Sequence, residues 1–139
     1  MLCHTLLMLA LPGKAPEMRP AAVGSIDSDT HPVRCHWERN EHAALCDEVL
    51  AGIEEAWDVQ VGTLGWPAPI PDADGILDAY VSSDGGGGAY AYGPWDDAIA
   101  DDGRIGTHAY IVVDPEFETW LRWTMLHEFN HVLQYGIDV

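Results

Sequence analysis

The chain has 139 residues, enough for one domain and one core. Hydrophobic residues make up 47% of it and charged residues 21%, so apolar burial can offset chain entropy and wholesale disorder is excluded. Six Lys plus Arg against 23 Asp plus Glu give a formal charge of −17, a field that repels phosphate backbones and anionic headgroups and so argues against nucleic acid and membrane surfaces as partners.

Met1 to Leu11 (MLCHTLLMLAL) has the apolar character of a signal-peptide core without the positive region that precedes one, and no run approaches the ~20 apolar residues of a spanning helix. Lys14 to Asp29 is rich in Pro, Ala, Gly and Ser without periodicity, and reads as a linker or exposed arm. Residues 1–29 are therefore expected to be leader and linker, with a partial signal peptide, and 30–139 the folded domain. Val33, Cys35 and Trp37 alternate with Arg34 and His36, the pattern of a strand with one buried face. From Asn40 the period lengthens: Leu45, Val49, Ile53, Ala56 and Trp57 recur three or four apart, which predicts an amphipathic helix ending near Gly62. Gly65 to Gly75 is turn chemistry, and Ile76 to Ser82 reads as a strand.

The run Gly85 to Gly88 keeps bulky side chains away from whatever lies beside it, and Ala89 to Tyr92 reads as a short strand. An acidic loop is expected over Pro94 to Gly106, then a buried strand over His108 to Val113. Asp114 as N-cap and Pro115 at the first helical position start a long helix running to about Tyr135, with Gly136 at its C-terminal end. The order strand, helix, strand, strand, strand, helix predicts an α/β (α+β) layered domain. Two features stay open. The odd set Cys3, Cys35 and Cys46 allows at most one internal pair, and a Cys35–Cys46 disulfide competes with two buried free thiols. The acidic stretches Asp72, Asp74, Asp78 and Asp96, Asp97, Asp101, Asp102 read first as a solvated surface and second as a cation site, with Ca2+ the cation.

The last helix carries His127, Glu128 and His131, an HExxH arrangement. Two imidazoles at i and i+4 lie one turn apart on one face, so both can reach one Zn2+ at ~2.0–2.1 Å. A carboxylate one residue after the first histidine is rotated about a third of a turn away, too far round to ligate easily but placed to bond a metal-bound water. The expected roles are His127 and His131 as metal ligands and Glu128 as the base that activates the water. The competing reading is two core histidines with ordinary hydrogen bonds, against which stands the cost of burying them unpartnered in so apolar a helix.

At these residues the sequence resembles the zincin metallopeptidases. More narrowly it resembles the secreted bacterial metalloproteases, of a kind common in myxobacteria, whose active-site helix carries His-Glu-Phe-x-His-x-x-Gln; here that core is His127-Glu128-Phe129-Asn130-His131-Val132-Leu133-Gln134. Weaker upstream likeness lies in Ile53-Glu54-Glu55-Ala56-Trp57, Pro71 to Gly75, Asp78-Ala79-Tyr80-Val81 and Ala109 to Asp114, so the resemblance spans about Val33 to the C-terminus. It implies a zincin-like N-terminal subdomain, a twisted mixed sheet with a backing helix and the active-site helix beneath, together with Zn2+, a protein or peptide substrate, peptide-bond hydrolysis of the gluzincin type and a secreted location. It also implies that the strand at the cleft edge pairs with extended substrate, which assigns Ala89, Tyr90, Ala91 and Tyr92 to substrate binding; a surface loop is the alternative for that stretch.

The chain departs from the pattern in two places. A metzincin requires Gly at 134 and His at 137, where this sequence has Gln134 and Ile137. Eight residues follow His131, with Asp138 the only acid among them, so the third zinc ligand is expected beyond residue 139 and the subdomain to be C-terminally incomplete; His108 is the first residue within the chain to check. That gap supports an alternative from another class, a non-catalytic metal-binding or interaction domain that keeps the helix.

Overall fold

The computed structural model describes residues 19–93, 98–100, 102–117 and 119–137. A five-stranded mixed sheet carries two helices, an α+β architecture as expected. The strands are β1 (Gly24–Asp27), β2 (Val33–Trp37), β3 (Leu77–Val81), β4 (Ala89–Tyr92) and, after the two-residue strands β5 (Ala98–Ile99) and β6 (Ile105–Gly106), β7 (Tyr110–Val113). Their order across the sheet is β1-β2-β3-β7-β4, with β2, β3 and β7 parallel and the two edge strands antiparallel to their neighbours. β5 and β6 pair with each other as a separate ribbon within the expected acidic loop. Helices α1 (Ala43–Trp57) and α2 (Leu121–Tyr135) complete the fold. No helix among the described residues is long and apolar enough to cross a membrane.

Strand alternation sorts the sheet into two chemically distinct faces. Val33, Cys35, Leu77, Ala79, Val81, Ile111 and Val113 form one core with Val49, Ile53 and Ala56 of α1 and Leu121, Met125, Phe129, Val132 and Leu133 of α2. Each Val, Leu, Ile, Met or Phe side chain fully buried there contributes about 1.5–3 kcal/mol of transfer free energy. The two helices touch closely because position 52 is glycine: a Cβ there would stand 2.8 Å from Met125 Cβ. The opposite face carries a smaller cluster of Tyr80, Tyr110 and Val112, with Tyr90 and Tyr92 packed against it. Trp57 tilts against Phe129, at 5.4 Å between centroids, so α1 braces α2 at the level of the HExxH residues.

Several elements differ from the sequence expectation, each for an identifiable reason. Gly24–Asp27, read as part of the exposed arm, is a strand of the sheet, and the fold therefore starts before residue 30. It lacks an apolar alternation because it is an edge strand held by backbone pairing with β2, and Gly24 is needed there because a Cβ would lie 2.4 Å from the Trp37 indole, whose edge covers it. Arg19, also in that arm, bonds Asp78 at 2.5 Å and Asp72 at 2.9 Å. Residues 1–18 of the expected leader and linker segment lie outside the described residues. α1 is entered through a 3-10 turn, Asn40–His42, and leaves through a π-turn, Asp58–Thr63, so its helical stretch does reach the neighbourhood of Gly62.

α2 begins at Leu121, not at Asp114 and Pro115. The Asp114 carboxylate is engaged elsewhere: Oδ1 accepts from the Glu116 N–H at 2.9 Å and Oδ2 from the Gly87 N–H at 2.8 Å. Side-chain bonds of this kind compete with helix formation and close a turn in its place, with the Phe117 N–H donating to the Asp114 carbonyl. Cys35 and Cys46 are joined by a disulfide with a Cα–Cα distance of 5.5 Å, tying β2 to α1.

The glycine run has a different role from the one its composition implied. Only Gly85 is pressed by a neighbour, since a Cβ there would stand 2.3 Å from the Asp114 backbone nitrogen. Gly86 and Gly87 have φ of +62° and +82° and make the left-handed turn into β4. Gly85→Ala is therefore expected to cost about 1–3 kcal/mol, and Gly88→Ala, whose Cβ meets nothing within 4 Å, to be near neutral. Thermal melts of the two variants check this pair.

Candidate metal centre

α2 buries one face of its surface and leaves the other exposed or half-buried, and the HExxH residues sit at the boundary. Leu121, Met125, Phe129, Val132 and Leu133 face the core, which turns His127 and His131 outward and leaves Glu128 at the edge of the buried side, 7% exposed. The two Nε2 atoms converge to 3.0 Å, with the rings edge to face at 4.6 Å between centroids. Two ligand nitrogens on one tetrahedral zinc at ~2.0–2.1 Å lie about 3.3 Å apart. The donor pair therefore fits two positions of such an ion with little movement.

Glu128 stands beside this pair in a drier setting. Burial pushes its carboxyl above the usual carboxylate range, against the smaller opposing effects of His127, His131 and the Ala91 backbone N–H, which donates to the carboxylate. That contact places β4 alongside the His127–His131 stripe of α2. Farther along, a Cβ at Gly93 would lie 2.6 Å from the Tyr135 ring, so the glycine lets the end of α2 approach the strand closely.

The direction in which β4 points its backbone follows from its pairing. The Asp114 N–H donates to the Gly88 carbonyl at 2.8 Å, and β4 continues antiparallel to β7 with Tyr90 opposite Val112 and Tyr92 opposite Tyr110. In an antiparallel ladder alternate residues bond the neighbour, so Tyr90 and Tyr92 face β7 and the N–H and C=O groups of Ala89 and Ala91 point to the open edge. The open edge is the side on which Glu128 stands. The tyrosine side chains turn to the opposite sheet face, with Tyr92 5.5 Å from Tyr110. Of the four residues assigned to substrate, the structure thus brings the backbone of Ala89 and Ala91 to the site and carries the side chains of Tyr90 and Tyr92 away from it.

Two supports of α2 have no local signature in the sequence. Gln60, buried on the π-turn that ends α1, donates from Nε2 to the Leu126 carbonyl at 2.9 Å and accepts from Asn130 Nδ2 at 3.0 Å. Its partners lie 66 and 70 residues away, so only the tertiary fold reveals the bracket. At the C-terminal end, the Thr107 N–H donates to the Tyr135 carbonyl at 2.8 Å and Arg104 to the Gly136 carbonyl at 3.1 Å, satisfying carbonyls that the helix leaves open.

No third His, Cys, Asp or Glu joins the histidine pair among the described residues. His108 lies on the other side of the sheet, lining an open cavity of about 470 Å³ with His36, Asp78 and Tyr80. Asp138 lies outside the described residues. The first acidic stretch is internally paired: Arg19 bridges Asp72 and Asp78, Arg34 approaches Asp74 at 3.5 Å, and burial pushes the Asp72 carboxyl up to about 6. Of the second stretch, Asp102 pairs with Arg104 at 2.6 Å, while Asp96, Asp97 and Asp101 lie outside the described residues. In comparisons with protein-family models, curated proteins and solved structures, nothing matches the chain.

Proposed function

We propose that this chain carries the metal-binding and general-base groups of a zinc-dependent peptidase of the zincin kind, acting on protein or peptide substrates outside the cell. The observation that carries the reading is the convergence of His127 and His131 Nε2 to 3.0 Å on an exposed helix face, with the buried carboxylate of Glu128 beside them and the outer edge of the sheet's last strand, β4, alongside. His127 and His131 would hold the ion. Zinc, when bound, supplies Lewis acidity toward a water and a carbonyl oxygen.

The chain's own groups account for the remaining requirements. Glu128 takes a proton from the attacking water and returns it to the leaving amine, a role that suits a carboxylate whose burial makes it a stronger base than an exposed one. The outward N–H and C=O of Ala89 and the outward C=O of Ala91, whose N–H is held by Glu128, take an extended peptide by strand addition, which fixes the scissile bond relative to Glu128 without selecting a particular side chain. The Cys35–Cys46 disulfide supports the extracellular assignment, since such bonds persist in oxidising compartments.

The pair without a third partner among the described residues favours a second reading, a metal-binding or interaction domain without catalysis. One experiment separates them. Zn2+ binding by chelator competition, run beside hydrolysis of a quenched fluorescent peptide library, is expected to show metal-dependent cleavage that His127→Ala and His131→Ala both remove together with tight metal binding. Binding without cleavage would support the second reading, and a wild-type affinity no higher than that of either variant would sink both.

A further inference from the structure

We propose that Gln134 is the positioning residue of this centre, holding His131 in the one tautomer that presents a bare Nε2 to a metal; the proposal rests on the metal-site reading above. His131 Nδ1 lies 2.9 Å from Gln134 Oε1, three residues on along α2. An amide oxygen only accepts, so Nδ1 carries the proton of the neutral ring and Nε2 carries the lone pair. Ligating histidines commonly have their second nitrogen tied in this way, which fixes both ring orientation and tautomer.

The histidine pair responds to this constraint. With His131 Nε2 bare, the 3.0 Å contact between the two Nε2 atoms is favourable only if His127 donates, so His127 carries its proton on Nε2 in the metal-free chain. Two bare nitrogens at that distance would repel, and two protonated ones would clash. The two ligands are therefore unequal before metal arrives. His131 is already in its ligating form, whereas His127 must lose its Nε2 proton to solvent and take one up on Nδ1. Gln134 is exposed, so its replacement leaves the core untouched. It occupies the last position of the His-Glu-Phe-x-His-x-x-Gln core, where the sequence by itself assigns it no task.

The tautomer is the decisive observable, because a reversed amide would present Nε2 of Gln134 to the ring and demand the opposite proton position. Long-range 15N–1H imidazole correlations are to be recorded on the metal-free wild-type chain, Gln134→Leu and Gln134→Glu, at a pH where both rings are neutral. Zn2+ affinity is to be measured on the same proteins by chelator competition. The expected result is His131 in the Nδ1–H form in the wild type and in Gln134→Glu, and a return toward the Nε2–H form in Gln134→Leu. Zn2+ affinity is expected to fall 10–100-fold in Gln134→Leu and to be retained in Gln134→Glu. The same tautomer in wild type and Gln134→Leu overturns the proposal however zinc binds, and so does a changed tautomer with unchanged measurable affinity. A wild-type chain that binds no zinc overturns the metal-site reading itself, an outcome the tautomer data report separately.

Discussion

Glu128→Gln is expected to lower kcat/KM for peptide hydrolysis by about 10²–10⁴-fold while zinc content stays at the wild-type level. The substitution keeps the shape of the side chain and an oxygen acceptor, and it removes the ability to take up and return a proton. It therefore isolates base chemistry from packing. The structure makes the separation clean, since Glu128 is nearly buried, the Ala91 N–H that donates to it keeps an acceptor in the amide oxygen, and the two histidines take their hydrogen bonds from each other and from Gln134. His127→Ala provides the reference for the opposite behaviour, loss of metal and of activity together. If Glu128→Gln lost zinc to the same extent as His127→Ala, Glu128 would be a ligand or a structural group, and the general-base assignment would fall. If activity survived, the water would have to be deprotonated by some other group.

The parts of this molecule that were legible in the sequence are those set by short-range spacing. The i, i+4 histidines lie on one face of a helix wherever that helix sits, the periods of α1 and β2 follow directly from which residues are buried, and β3 and β7 are short runs buried along their whole length. The parts that were not legible depend on distant partners. β1 is Gly-Ser-Ile-Asp, a sequence with no strand pattern, and it is a strand because β2 offers it a backbone edge and Trp37 covers Gly24. Asp114 and Pro115 are a sound helix start in isolation. Gly87, 27 residues upstream in the chain, bonds the Asp114 carboxylate and helps convert that start into a turn. The open edge of β4 shows the same division. The family resemblance placed four residues at the candidate site, but only the register with β7 reveals that Ala89 and Ala91 direct their backbone outward while the tyrosine side chains turn to the far face.

Breaking the Cys35–Cys46 disulfide is expected to remove about 3 kcal/mol of stability, the amount predicted for releasing a loop of this length, 11 residues in sequence separation, in the unfolded chain. For a domain of this size, with a total stability on the order of 5–15 kcal/mol, that is a large share, and it corresponds to a fall in melting temperature on the order of 10 °C. Both sulfurs are fully buried between β2 and α1, beside Val33, Val49 and Ile53, so the cysteines contribute packing as well as the cross-link. The two contributions separate experimentally. Dithiothreitol removes the bond and keeps the volume of the two side chains, and a Cys35→Ala/Cys46→Ala variant removes both. The variant is expected to melt below the reduced wild type, and the reduced wild type below the oxidised one. The consequence reaches the candidate site through α1 and the π-turn that follows it, whose Trp57 and Gln60 brace α2 at Phe129, Leu126 and Asn130. Reduction is accordingly expected to weaken zinc binding at temperatures near the new melting point and to leave it unchanged well below that point. Identical melting temperatures for the oxidised and reduced chains would show that packing, and not the cross-link, holds β2 against α1.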